Sequence, residues 1–494
     1  RPCATKILSG MARLAYRRPS TKADVDTLLQ FFDRGRVDGG SFDSGIQFAL
    51  ERMLVDPDFL LRVHRDPPGQ KAAAPYRLSD LELASRLSFF LWSSIPDDRL
   101  LTLAEHGELN NPVTLEQEVR RMIADARATD ALVNDFASQW LNLRRVDETV
   151  VDPDRYPQYD LSLLRAFGEE TELFVASTLH EDRSVHDLLS ADYTFLNERL
   201  AQQYGIPGIY GSQFRRVLLP KHDQRGGLLA QGSLLVTTSY PDRTSPVLRG
   251  KMLLNNIFGL PIPPPPPGVP PLDSKPGAKL ATLRERLAQH RNNPACNNCH
   301  AVIDPLGFAL ENFDVLGGWR TKDETGKPID SSGTTLSGAK IEGLSGLRAL
   351  LLADPEQFPR TVTEKLMAYA LGRRLEYYDK PAIRKIVRDA AAHQYRWSSL
   401  ILGIVESPEF QMRAPASAER VDQTATKANA LMIQSHHVSY PNAHVLDSRV
   451  AGGGVFRPVK GKEDGRATTG ATWCCGILLG ASEGPHSGHR RYFL

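Results

Sequence analysis

The run Cys296-Asn297-Asn298-Cys299-His300 constrains this chain more than any other stretch. Two cysteines two residues apart, followed at once by histidine, form the attachment signal for a c-type haem. The thiols add to the two vinyl groups, and the adjacent imidazole reaches the iron as proximal ligand. Two intervening residues set the sulfurs one helical turn apart, and His300 follows while the chain is still beside the ring. With 5 cysteines and 13 histidines in 494 residues, chance yields such a run in about one sequence in a thousand of this composition. A zinc knuckle needs a second ligand pair at similar spacing, and the remaining cysteines are Cys3 and the adjacent pair Cys474 and Cys475. A redox dithiol usually follows a strand in a βαβ pattern, whereas the flanks here are Pro-rich and helical. The expectation is one covalent haem c, held by Cys296 and Cys299 with His300 on the iron.

The second axial position separates electron transfer from catalysis. Met there raises the potential, His lowers it, and an open site binds a small substrate. Met367 lies 67 residues after His300 on a predicted helix, a small-cytochrome arrangement, although a core methionine is the commoner reading of such a position. Met252 and His290 are the other named candidates, with His290 close in sequence for a swing to the far face.

At 494 residues the chain has room for two to four domains with real cores. Charged residues are 24%, hydrophobic ones 41%, and the net charge is +2, which gives no electrostatic case for nucleic acid or an anionic membrane. No apolar run reaches the roughly 18 residues of a membrane span. The chain opens Arg1-Pro2-Cys3 without an initiator Met or signal peptide, as a piece of something longer does. Covalent haem c is assembled outside the cytoplasm in bacteria, so a periplasmic or other extracytoplasmic location is expected, with the export signal missing from this piece.

Helical periodicity predicts a mainly α, multi-domain scaffold around a small cytochrome-like segment. Residues 1–66 read as a helical unit of three helices. The stretch 77–205 is a helical domain opened by a capping box at Ser79 and Glu82, with a second box at Thr114 and Gln117, and helices over Asp130 to Leu143 and Leu161 to Leu179. A turn-rich segment, 206–260, completes that domain, with Gly226-Gly227 and Tyr240 to Pro246 as turn chemistry. A polyproline linker follows at 261–279, then the haem segment at 280–345, a helical unit at 346–413, and a disordered or non-native tail at 414–494. Within the haem segment Phe308, Leu310 and Phe313 are candidate walls for the macrocycle and Arg320 a candidate propionate partner, each equally readable as local core. Trp92 and Trp140 read as packing residues. The last helical unit echoes the first. Met367 to Arg374 matches Met11 to Arg18, Ser407-Pro408-Glu409-Phe410 matches Asp56-Pro57-Asp58-Phe59, and the Met-to-Phe intervals are 43 and 48 residues.

These stretches resemble, in order, a family of large exported bacterial proteins that joins domains of unknown function numbered 1595, 1592, 1588 and 1585. The resemblance rests on Leu14 to Pro19 with Asp56 to Phe59, Leu78-Ser79 to Trp92, Thr244 to Gly250, Cys296 to Asp314, and Tyr369 to Arg373, and spans roughly residues 1–413. It implies a mostly helical, haem-bearing exported protein and no established reaction.

The expected function is an extracytoplasmic c-type haem protein that transfers electrons for a partner or appended oxidoreductase. The alternatives are a haem oxidoreductase with its own pocket near 225–250, using Asp242, Arg243 and Arg249, and a helical scaffold with a structural haem. No nucleophile, base and orienter set supports the enzyme reading.

Overall fold

Amphipathic helices, many with a side-chain N-cap, make up most of the described residues. In the computed structural model the described residues are 1–62, 74–220, 225–264 and 282–414, all in one compact unit. The linker beyond residue 264 and the tail beyond 414 lie outside them. No helix among the described residues is long and apolar enough to cross a membrane.

The N-terminal unit is α1 (Pro2–Tyr16), α2 (Lys22–Gly39), α3 (Phe42–Leu54) and the one-turn α4 (Pro57–Leu60). Apolar positions four apart place Ala4, Leu8 and Ala12 fully inside, against Leu28, Phe32 and Met53, in a small core of their own. Thr21 caps the second helix, where it forms a reciprocal capping box with Asp24. Arg13 ties this unit to the next, bonding Glu105 at 2.7 Å and Asp98 at 2.7 Å.

The next domain opens with the short strand β1 (Tyr76–Arg77) and α5 (Asp80–Trp92). The capping box at Ser79 and Glu82 forms as the sequence requires. The one expected at Thr114 does not. Pro112 occupies the first helical position, so Asn111 becomes the cap and accepts from the Val113 and Thr114 amides. The helix predicted over Asp130 to Leu143 is interrupted by a π-turn at Leu132–Ala137. The helix α6 (Leu161–His180) matches its expectation and buries Leu164, Phe167 and Phe174, while Leu173 is only half-buried. Trp92 and Trp140 are packing residues, each with its indole N–H on a backbone carbonyl, of Met122 and Asn256 respectively.

One main core runs from this domain to Phe410 through Leu87, Phe136, Phe174, Phe313, Leu347 and Trp397. The strands are marginal additions in three antiparallel pairs: β1 with β6 (Met412–Arg413), β2 (Tyr193–Leu196) with β3 (Arg215–Leu218), and β4 (Ser332–Thr334) with β5 (Lys340–Glu342). The last pair is a short hairpin within the Ser/Gly/Thr-rich stretch 331–342, whose composition is open to a hairpin or a loop.

The helices that bear on the site and the C-terminal unit include α7 (Pro246–Met252), α8 (Leu283–Arg291), α9 (Pro294–Phe308) and α10 (Gln357–Leu371). The C-terminal unit continues with α11 (Lys380–Ala391), α12 (Trp397–Glu406) and α13 (Pro408–Gln411). It reproduces the N-terminal plan in detail. The helices α1 and α10 both end on a left-handed residue, Arg17 with φ 57° and Gly372 with φ 63°. The next arginine then grips an aspartate six residues on: Arg18 holds Asp24 at 2.6 and 3.2 Å, and Arg373 holds Asp379 at 2.8 and 2.8 Å. Each unit closes on a one-turn helix begun by proline, capped by Asp56 or Ser407. The equivalence is therefore Arg18 to Arg373, one residue off the register read from sequence.

Candidate functional site

The helix α9 carries Cys296, Cys299 and His300, all half-buried, and both cysteines are free thiols. His300 donates or accepts through Nδ1 at 2.9 Å from Asp304 Oδ1, one helical turn on. Asp304 is fully buried, and its other oxygen lies 3.7 Å from Arg291 Nε without a hydrogen bond. A buried carboxylate facing Nδ1 fixes the tautomer with the proton on that nitrogen and leaves Nε2 as the lone-pair donor. Sequence reasoning passed over Asp304 in this role, although a histidine and an aspartate four apart in a helix meet on one face.

The position of α9 is set by α7 and the residues before it. Gly250 and Gly307 let the two helices touch backbone to backbone: a β-carbon at Gly250 would run into the Ile303 carbonyl, and one at Gly307 into the Pro246 carbonyl. Ser245 caps α7 through its Oγ, and Pro246 takes the first helical position. Arg249, with no exposed surface, donates to the carbonyls of Leu310, Phe313 and Asp314 at 2.7, 2.8 and 2.9 Å. Three donors converge on the buried carboxylate of Glu311: Thr244 at 2.7 Å, Arg320 at 3.1 Å and Arg249 at 3.3 Å. Burial pulls the Arg249 guanidinium down to about 10, partly offset by Glu311, and it stays charged at neutral pH. Every polar residue of the Thr244 to Gly250 stretch thus serves to seat α9.

The candidate macrocycle walls are core instead. Phe308, Leu310 and Phe313 are 3%, 0% and 0% exposed, Phe308 lies under Arg284 at 3.9 Å, and Phe313 packs edge-on to Trp319. Arg320 is committed to Glu311 and Thr244. Arg249, named for a pocket near 225–250, is a structural cap. In the same segment Arg243 stacks over Tyr240 at 4.4 Å, and Asp242 is half-buried. Met367 is fully buried in α10 as part of the main core. His290, at the end of α8, meets the His300 ring edge to face with centroids 5.0 Å apart, which is not the in-line arrangement of two axial ligands. Met252 is half-buried and packs against the main core. Among the described residues, no three His, Cys, Asp or Glu side chains form a metal cage.

Family models match along most of this architecture. Residues 3–64 match the protein of unknown function DUF1595, 78–206 match DUF1592, 225–323 match DUF1588 and 337–410 match DUF1585. The chain carries all four of these domains. The DUF1588 match takes in α7, α9 and the Cys296 to His300 run, so the seat and the motif fall inside one domain. No curated protein and no solved structure matches the chain.

Proposed function

We propose that this four-domain protein is an extracytoplasmic c-type haem protein that passes electrons to or from a partner oxidoreductase. One observation carries the reading most of the way. Two free thiols one helical turn apart and an imidazole oriented through Nδ1 by a buried carboxylate sit together on the partly open face of one helix. That donor set suits covalent haem: Cys296 and Cys299 would hold the vinyl carbons, and His300 Nε2 would be the axial nitrogen. Bound there, the haem supplies a one-electron couple.

The chain's own residues have three tasks. Asp304 holds the proton on His300 Nδ1 and strengthens the imidazole as a donor, which favours the oxidised iron and a low potential. The α7 seat, through Gly250, Gly307 and Arg249, keeps α9 in one position, so little rearrangement accompanies a change of charge. The half-buried setting of Cys296, Cys299 and His300 leaves an edge from which a partner can exchange electrons.

The test is a pyridine haemochrome spectrum on protein exported together with cytochrome c maturation factors. The expected spectrum is that of one covalent haem per chain, abolished in the double variant Cys296→Ala/Cys299→Ala. A colourless wild-type protein from a host that loads a control cytochrome c would remove the proposal.

A further inference from the structure

The Tyr16-Arg17-Arg18 stretch and the residues that follow α4 have no part in seating α9, yet they line an arginine-rich concavity. The ends of α1 and α4, the first turns of α5 and β1 enclose a cavity of about 440 Å³. Among the described residues its wall bears five arginines and two carboxylates, Asp58 and Glu82. Arg18 is neutralised by Asp24 and Asp58, at 2.6 and 2.8 Å. Arg77 is turned to Asn110.

Arg17, Arg62 and Arg86 are different, since none of them pairs with a described carboxylate. The Arg17 side chain ends in the wall, its N–H groups on the carbonyls of Ala15, Asp58, Phe59 and Leu61. Its hydrogen bonds all go to uncharged carbonyls, and Asp58 meets its charge only in part. Arg17 and Arg62 lie 5.8 and 5.2 Å from the centre of the same ring, Phe89. Arg86 spends one N–H on the Phe410 carbonyl at 2.6 Å. Partial burial depresses all three guanidiniums; Asp58 offsets part of this for Arg17 and Glu82 part for Arg86, while the charge of Arg62 adds to the depression of both. Ser85, 9% exposed, lines the same cavity with a hydroxyl that has no hydrogen-bond partner. Like charges gathered in a partly desolvated wall oppose folding unless an anion joins them. Guanidinium forks match tetrahedral phosphate oxygens two at a time, and the volume exceeds that of a single inorganic ion and falls in the range of small-molecule sites.

We propose that this cavity, between the DUF1595 and DUF1592 domains, binds a small molecule bearing more than one phosphate group, held by Arg62 and Arg86 with Arg17 as background charge and Ser85 as a further donor. It is independent of haem loading. The experiment is calorimetric titration of the full chain with inorganic phosphate, pyrophosphate and citrate at matched ionic strength. Pyrophosphate is expected to bind saturably and at least about tenfold more tightly than phosphate, with citrate no better than phosphate. The variants Arg62→Gln and Arg86→Gln are each expected to weaken pyrophosphate by about tenfold, while Arg144→Gln, at an exposed ion pair elsewhere, leaves it unchanged. Arg62 is exposed, so its replacement keeps the fold, which a melting curve verifies. Absence of saturable pyrophosphate binding, equal binding by the two cavity variants and wild type, or tighter binding of citrate each overturns the proposal.

Discussion

Replacing Arg249 by methionine tests whether the seat of α9 is built as described. The substitution keeps most of the side-chain volume and removes the guanidinium that closes three backbone carbonyls, Leu310, Phe313 and Asp314, within 2.9 Å. Glu311 keeps Thr244 and Arg320 and loses only its longest partner. Each stranded buried acceptor costs about 1 kcal/mol or more, and removing one member of a buried charged network costs about 3–5 kcal/mol. A loss of about 4 kcal/mol is therefore expected, a large share of the roughly 5–15 kcal/mol that holds a typical domain. Urea unfolding followed by circular dichroism and tryptophan fluorescence reads it. Arg249→Lys restores the charge without the planar fork, so it should recover less than half of the loss. A loss below about 1 kcal/mol in the methionine variant, or full recovery with lysine, would refute the carbonyl-capping role.

Three other outcomes follow from the same geometry. In haem-loaded protein Asp304→Asn should raise the midpoint potential with unchanged haem content, because a weaker acceptor on His300 Nδ1 makes a poorer donor to oxidised iron; a redox titration showing no shift or a fall would contradict the Asp304 assignment. Gly307→Ala should destabilise by about 1–3 kcal/mol, since the new methyl meets the Pro246 carbonyl and neither backbone can yield; a melt within error of wild type is the contrary result. Glu170 is fully buried and pushed up to about 7, burial outweighing the hydrogen bonds it accepts from Thr194 and Tyr204. Its folded value lies above the unfolded one near 4.5, so its contribution is fully present below about 4.5, fades as pH rises towards 7, and stays lost above. Melting temperature should fall across that window, and Glu170→Gln should flatten the fall.

What the sequence disclosed follows from how local each signal is. The capping box at Ser79 and the 3.6-residue periodicity of α6 act within one element, and both formed where expected. The box at Thr114 lost to Asn111 because a proline one position on fixes the helix start more firmly than a threonine three residues before glutamine. The pseudo-repeat was visible in two short motifs, but its register was not, since the Arg18 to Asp24 and Arg373 to Asp379 clamps decide it and only packing reveals them. At the site, the thiols and His300 were legible from spacing alone. Of the two readings open for Phe308, Leu310 and Phe313, the structure favours local core, a choice the sequence could not make because such residues look alike whether they face a cofactor or the core; Arg249 was not legible as a cap because it reaches residues more than sixty positions away. The five cavity arginines come from the end of α1, the residues after α4, β1 and α5, which no linear motif joins.

The most direct test of the central claim is the intact mass of the exported chain under denaturing conditions, after co-expression with the cytochrome c maturation factors. The account predicts the polypeptide mass plus one haem, surviving acid and organic extraction, and the bare polypeptide mass when Cys296 and Cys299 are both replaced by alanine. A bare polypeptide mass for the wild-type chain, from cells that fully load a control cytochrome c, would contradict it.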